Sequence, residues 1–249
     1  MDFSWLSDPF YQEYLIEGLI NTLWLLLVSA VLGFTLAVGM ALARIKGPRP
    51  LAWLAQGITT VMRGTPLLVQ LFFFYYGVGR LLEDIPGIQD SIFWGVLRDP
   101  FFYATLTFTL SVGAYTGEVL RGALLSVPPG EREAGRAFGL SPFQVFTRLW
   151  LPRAIQLCLP TLTGEIILLL KSVPLVSTIA MMDLLQAANI IRDETFLTYE
   201  PLLLIGAIYL VLTVLLTLVL RRVELSFPGV QPTRRRGRLF RRGADPTPL

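Results

Sequence analysis

The chain contains no histidine. That removes the side chain most often used as a general base, the commonest zinc ligand, and every Ser-His-Asp or Cys-His nucleophile arrangement. There is one cysteine, Cys158, so neither an internal disulfide nor a thiolate metal site can be built. Charge is scarce as well: Asp, Glu, Lys and Arg make up 16% of the 249 residues, against roughly a quarter in a soluble domain. Hydrophobic residues make up 53%, which excludes intrinsic disorder, a state that needs low hydrophobicity and high charge.

What is present instead is a set of long uncharged runs. A bilayer-spanning helix needs about 20 mostly apolar residues. Residues 18–43 carry no charge, 50–79 carry only Arg63, and 100–117 carry none. Residues 154–182 carry only Glu165 and Lys171, and 201–220 carry none and stop at Arg221-Arg222. Within lipid every backbone N–H and C=O must be paired inside its own segment, so these runs are helices. The expected fold is therefore an all-α integral membrane protein with five transmembrane helices.

Basic residues orient such a protein, because Lys and Arg concentrate in the cytoplasmic loops. If the N-terminus lies outside, the inner segments are 44–63, 118–153 and 221–249. The outer ones then keep only Arg80, Arg98 and Arg192. The opposite orientation would put nearly all the basic residues outside, so the C-terminus is expected in the cytoplasm. The first 17 residues hold Asp2, Asp8, Glu13 and Glu17 and no Lys or Arg. A cleavable signal peptide starts positive, so the first run reads as a retained span. The Arg-rich tail, 226–249, reads as a flexible juxtamembrane cluster against anionic lipid headgroups rather than a nucleic-acid site.

The inner loop 126–152 stands apart from the other loops. Pro129 and Glu131 suit a first helical turn and Gly139 suits a helix stop. Ser141-Pro142 then reads as an N-cap followed by proline at the first helical position. Two short helices meeting at a glycine turn are expected between spans three and four. Ala134, Ala137 and Phe138 share one face, and Val145, Phe146 and Leu149 share another. Residue patterning leaves two readings open: a hairpin packed on its own membrane domain, or a docking element whose small side chains admit a cytoplasmic partner.

The motif in this loop decides between them. Glu133-Ala134-Gly135, Gly139 and Leu149-x-Leu151-Pro152 resemble the cytoplasmic EAA motif of ATP-binding-cassette importer permeases, with Gly135 and Leu149 as the departures. Three further blocks resemble the polar amino-acid branch of that family. They are Arg63-Gly64-Thr65-Pro66 with Gln70, Ala114-Tyr115-x-x-Glu118-x-x-Arg121-Gly122, and Glu165 with Lys171 and Ser177. The opening and the Arg192-Asp193-Glu194-Thr195 region are similar to the M-type subunit of histidine/lysine/arginine/ornithine importers.

The resemblance implies a permease domain over residues 1–225 in a bacterial inner membrane, carrying polar and preferably basic amino acids by alternating access. It also implies partners: a second permease (a heterodimer preferred over a homodimer), two ATPase subunits and an external amino-acid-binding protein. ATP and magnesium would act through the partner ATPase. This chain has no P-loop of its own, since Lys171-Ser172 lacks the glycines that cradle phosphate. In the family the helix bearing Glu133 sits in a groove of the ATPase. Glu131, Arg132, Glu133, Ala134, Arg136 and Gly139 are therefore the coupling candidates, with a solvated charged face as the plainer reading of the four ions.

A charge at membrane depth is costly and points to function. Glu165 and Lys171, six residues apart, cannot be helical neighbours. Glu165 is a candidate partner for a cationic substrate group, and Lys171 with Ser172 for the α-carboxylate. The plainer alternative pairs Lys171 with an acid on a neighbouring helix. Gly164 and Pro174 are places where the fourth span could break. Arg63, Gly64, Thr65 and Pro66 read either as a hinge or gate or as an ordinary membrane-boundary cap. An ion-coupled secondary amino-acid transporter working through Glu165 is the competing function.

Overall fold

A computed structural model describes residues 4–226, which leaves most of the Arg-rich tail outside the described residues. Among the described residues the secondary structure is helical throughout. The long helix α1 (Pro9–Lys46) starts where Asp8 accepts a hydrogen bond from Phe10 N at 2.9 Å, with proline at the first helical position. Helix α2 (Arg49–Gly64) is strongly amphipathic and is followed by α3 (Leu67–Glu83), which loosens to π geometry over Phe73–Val78. Helix α4 (Pro100–Ser126) repeats the α1 device, with Asp99 capping Phe101 N ahead of Pro100. Then come the short α5 (Pro129–Ala137), the long α6 (Pro142–Ile179), α7 (Leu184–Thr195) and α8 (Tyr199–Ser226).

By length and composition α1, α6 and α8 can each cross a bilayer, and α2 with α3 forms a bent pair. The apolar run 50–79 is thus not one straight helix. The two halves meet at 114° at Thr65-Pro66. Thr65 ends α2, its hydroxyl donating to Val61 O at 2.8 Å, and Pro66 is the residue before α3 rather than its first. Buried Gln70 staples the corner, its Nε2 donating to Met62 O at 2.7 Å and to Thr65 O at 3.0 Å. The expected break at Gly164 is absent, since the α-helix runs unbroken from Leu151 to Ser172. At Pro174 it tightens to a 3-10 helix over Val173–Ile179, because proline removes the hydrogen-bond donor that the α pattern needs.

Helix α4 is the hub, packed by α1, α2 and α6. Its many Thr, Ser and Gly residues let these neighbours pack closely on it. Backbones approach closely at paired glycines. A Cβ on Gly33 would lie 2.6 Å from Val112 Cβ, and one on Gly113 would lie 2.7 Å from Leu36 Cδ2. Small residues at helix contacts do this work in membranes, where apolar burial alone favours neither helix nor lipid. Leu25, Leu71, Ala104, Phe108, Leu170, Val173 and Val176 fill the resulting core. Helix α8 packs Tyr209, Leu212 and Leu216 against this core, and only Pro201 and Ile205 of its residues are buried.

At the end remote from the hairpin, α7 is clasped by α1 and α8. Asn21 Nδ2 donates to Met182 O at 3.0 Å, Leu184 N donates to Thr22 Oγ1 at 3.3 Å, and Tyr209 O–H donates to Asp183 Oδ2 at 3.4 Å. Asp183 is fully buried and caps α7 by accepting from Gln186 N at 2.9 Å. Burial pushes its carboxyl up to about 6, and the cap and Tyr209 hydrogen bonds offset only part of that. A folded pKa above the unfolded one means that the native state holds the proton more tightly. Stability is then greatest below about pH 4 and falls as pH rises through 6. Asp183→Asn keeps a capping oxygen and removes the charge. It is expected to stabilise the protein by about 3 kcal/mol at pH 7.5 and to be neutral near pH 4. Melting curves of the two proteins at both pH values check this.

Candidate functional site: an acidic cleft and a capped hairpin

The hairpin between α4 and α6 folds as its residues dictate. Pro129 opens α5 and Gly139 stops it at φ +82, a left-handed conformation open to glycine. Leu140 N donates to Gly135 O at 3.2 Å and Gly139 N to Arg136 O at 2.9 Å, completing a Schellman stop. Ser141 and Gln144 then form a reciprocal capping box at the start of α6.

Helix α5 turns Gly135 inward. A Cβ there would sit 2.5 Å from Leu149 Cδ1 and 3.4 Å from Val145 Cγ2, so glycine lets α5 lie against α6. The opposite side, Glu133, Ala134, Arg136, Ala137 and Phe138, is exposed, with Phe138 88% accessible. Glu133 and Arg136 have no ion pair among the described residues. Glu131 and Arg132 are engaged within the chain: Glu131 pairs with Arg153 at 3.7 Å, and the Arg132 guanidinium lies 4.7 Å from the Trp150 ring centroid. The ammonium of Lys46 is 4.5 Å from the same centroid, and Trp150 Nε1 donates to Leu124 O at 2.8 Å. Buried Trp150 therefore joins α5 to the ends of α1 and α4. Nothing in the spacing of Trp150 announces that role.

The second feature is a cleft of about 290 Å³ between α3, α4 and α6, lined by Leu67, Phe108, Ser111, Tyr115, Glu165 and Ser172 among others. That approaches the lower end of the size range for small-molecule pockets. Its walls are mostly apolar, and Glu165 is its one ionisable carboxylate. Glu165 is half-buried and makes no hydrogen bond or ion pair among the described residues. Ser172 shares the cleft, with its hydroxyl donating to Leu168 O at 2.9 Å. Lys171 does not: it is exposed on another face of α6, as the six-residue separation requires.

Arg63, Gly64, Thr65 and Pro66 occupy the α2–α3 corner. Thr65 and Pro66 form the bend itself, while Arg63 and Gly64 line a neighbouring polar cleft with Arg44, Gln56, Thr59, Thr60, Tyr115 and Glu118. In that cleft Glu118 is paired with both Arg44 and Arg121. The Arg63 guanidinium lies 5.5 Å from the Tyr115 ring centroid, and Tyr115 O–H donates to Arg63 O at 3.4 Å. Among the described residues no group of His, Cys, Asp and Glu side chains could hold a metal ion.

Known proteins are similar to this chain in sequence and in fold. Residues 29–227 match the family described as "Binding-protein-dependent transport system inner membrane component". The octopine transport system permease protein OccM of Rhizobium radiobacter is 38% identical over 228 residues, covering 90% of this chain and 89% of the relative. The histidine/lysine/arginine/ornithine transport system permease protein HisM of Salmonella typhimurium is 37% identical over 223 residues, covering 88% and 92%. Among solved structures, a crystal structure of an amino acid ABC transporter with histidines aligns at a TM-score of 0.74 and 31% identity, covering 91% of this chain and 100% of that one. The MetNI methionine ABC transporter shares the fold at a TM-score of 0.67. With a helical fold over its described residues and a family match across most of its length, this chain belongs to the inner membrane components of binding-protein-dependent transport systems.

Proposed function

We propose that this chain is the permease of an ATP-driven importer for basic amino acids, and that Glu165 holds the cationic part of the substrate during passage. The observation that carries this reading is an unpaired, half-buried carboxylate in an amino-acid-sized cleft among packed helices. A charge left without a counter-ion at such depth is costly unless a ligand supplies one. Octopine and histidine/lysine/arginine/ornithine systems are named for the relatives, and each of those substrates carries a basic or strongly polar group.

The orientation follows the basic residues, with the hairpin and the C-terminus cytoplasmic and α1, α2–α3, α4, α6 and α8 as the five spans. A separate ATPase docks on the exposed side of α5. Glu133 and Arg136 are the contacting ions, Ala134 allows close approach, and Gly139 sets the end of the helix. Glu131 and Arg132 stiffen the lever from behind. Closure of the ATPases displaces α5, and the Trp150 joint carries that displacement into α1 and α4. The bend at Thr65-Pro66 is the hinge of the gate. The similarity to HisM favours a related but different permease as the second subunit.

Reconstitution of the complete complex in proteoliposomes tests the reading. Glu165→Gln is expected to lower arginine uptake about tenfold while leaving basal ATP hydrolysis unchanged, a loss that corresponds to one charge-assisted contact. Uptake at the unaltered rate would remove Glu165 from the path.

A further inference from the structure

Tyr115 lines both clefts, standing between the one that contains Glu165 and the polar one that contains Arg63. The two are unlike in charge. The first has a single carboxylate and no cation on its walls. The second, about 400 Å³, has two guanidinium groups, Arg44 and Arg63, and one carboxylate, Glu118. Glu118 is already engaged by Arg44 and Arg121, which leaves it no free charge to offer. Arg63 has no carboxylate partner among the described residues. Its guanidinium rests by the Tyr115 ring. Gln56, Thr59 and Thr60 add polar groups beside it.

We infer that the polar cleft is a second station for the amino acid, which crosses the Tyr115 partition carboxylate first, with Arg63 as the receiving cation. This rests on the reading of Glu165 given above and adds a direction to it. A basic amino acid held at its side chain by Glu165 has its α-carboxylate free. The Arg44–Arg63 wall attracts that carboxylate and repels the cationic end, so the substrate is oriented before it moves. A guanidinium presents paired donors to a carboxylate, a geometry that suits both capture and release. Lys171 was the sequence-based candidate for this contact, but it lies on another face of α6, outside the lining of both clefts. The ligand class is an α-amino acid with a free carboxylate, and an amine lacking that group is a poor passenger even where its cationic end fits Glu165.

The test measures equilibrium binding of labelled arginine to the purified permease–ATPase complex, with argininamide as the competitor lacking the carboxylate. The unaltered complex is expected to prefer arginine about tenfold. Arg63→Gln should abolish that preference, and Arg63→Lys, which keeps the charge, should retain most of it and also control for folding. Glu165→Gln should weaken both ligands equally. If Arg63→Gln keeps the full preference while Glu165→Gln still weakens binding, the second station is wrong and the Glu165 reading survives. If arginine does not bind, or binds regardless of Glu165, both are overturned.

Discussion

Substituting valine for Gly139 is expected to bring ATP-driven uptake down at least tenfold, and Glu133→Arg is expected to do the same by a different route. At φ +82 a β-branched residue is strained by roughly 1–3 kcal/mol. A Cβ there meets nothing within 4 Å, so the cost is conformational rather than steric. The strain falls on the two hydrogen bonds that close α5, from Leu140 N and Gly139 N. The helix end then frays and the exposed face loses its register. Gly139→Asn separates this from a packing defect, because asparagine tolerates the left-handed region and should retain most of the activity. Glu133→Arg leaves the fold alone, since the side chain is exposed and unpaired among the described residues, and acts only on the docked surface. Uptake into proteoliposomes, together with cross-linking from α5 to the ATPase, checks both. Full uptake by both variants would dismiss α5 as the lever.

The second large effect is predicted at the other end of the molecule. Gly18→Leu is expected to destabilise the protein by about 3 kcal/mol, the upper range for overpacking a tight contact. A Cβ on Gly18 would lie 2.6 Å from Asp183 O and 2.8 Å from Asp183 C. Both are backbone atoms, and that backbone is already held by Asn21, Thr22 and the α7 cap. Neither partner can yield cheaply, so α7 must leave α1. Gly39→Ala, in the same helix, is the contrast. Nothing lies within 4 Å of its added Cβ, and alanine gains about 0.5–1 kcal/mol of helix stability. Thermal melting of the purified chain in detergent should show the two variants shifted in opposite directions.

The hairpin shows how far local pattern reaches. Its proline start, glycine stop and capping box are all short-range devices, and each was legible from a few neighbouring residues. The face was legible too: Ala134, Ala137 and Phe138 share a side by helical spacing, and that side is the exposed one. Gly135 was not. Taken by itself it is a weak helix residue, and only the position of Leu149, fourteen residues on, turns that weakness into a requirement for close contact. The acidic cleft divides the same way. Glu165 was conspicuous because charge is rare in the span, whereas Tyr115 as the wall between two clefts had no local signal. Asp183 is fully buried and caps α7, a place that no local pattern marks.

From the amino-acid order alone came the helical architecture and the capped hairpin between α4 and α6. Both follow from rules that act within a segment: backbone pairing in lipid and helix caps. The folded chain decided the rest. It bent the second apolar run through 114° and set Arg63 beside Tyr115. Those outcomes depend on which helix faces which across dozens of intervening residues, and helical periodicity carries no information about that choice.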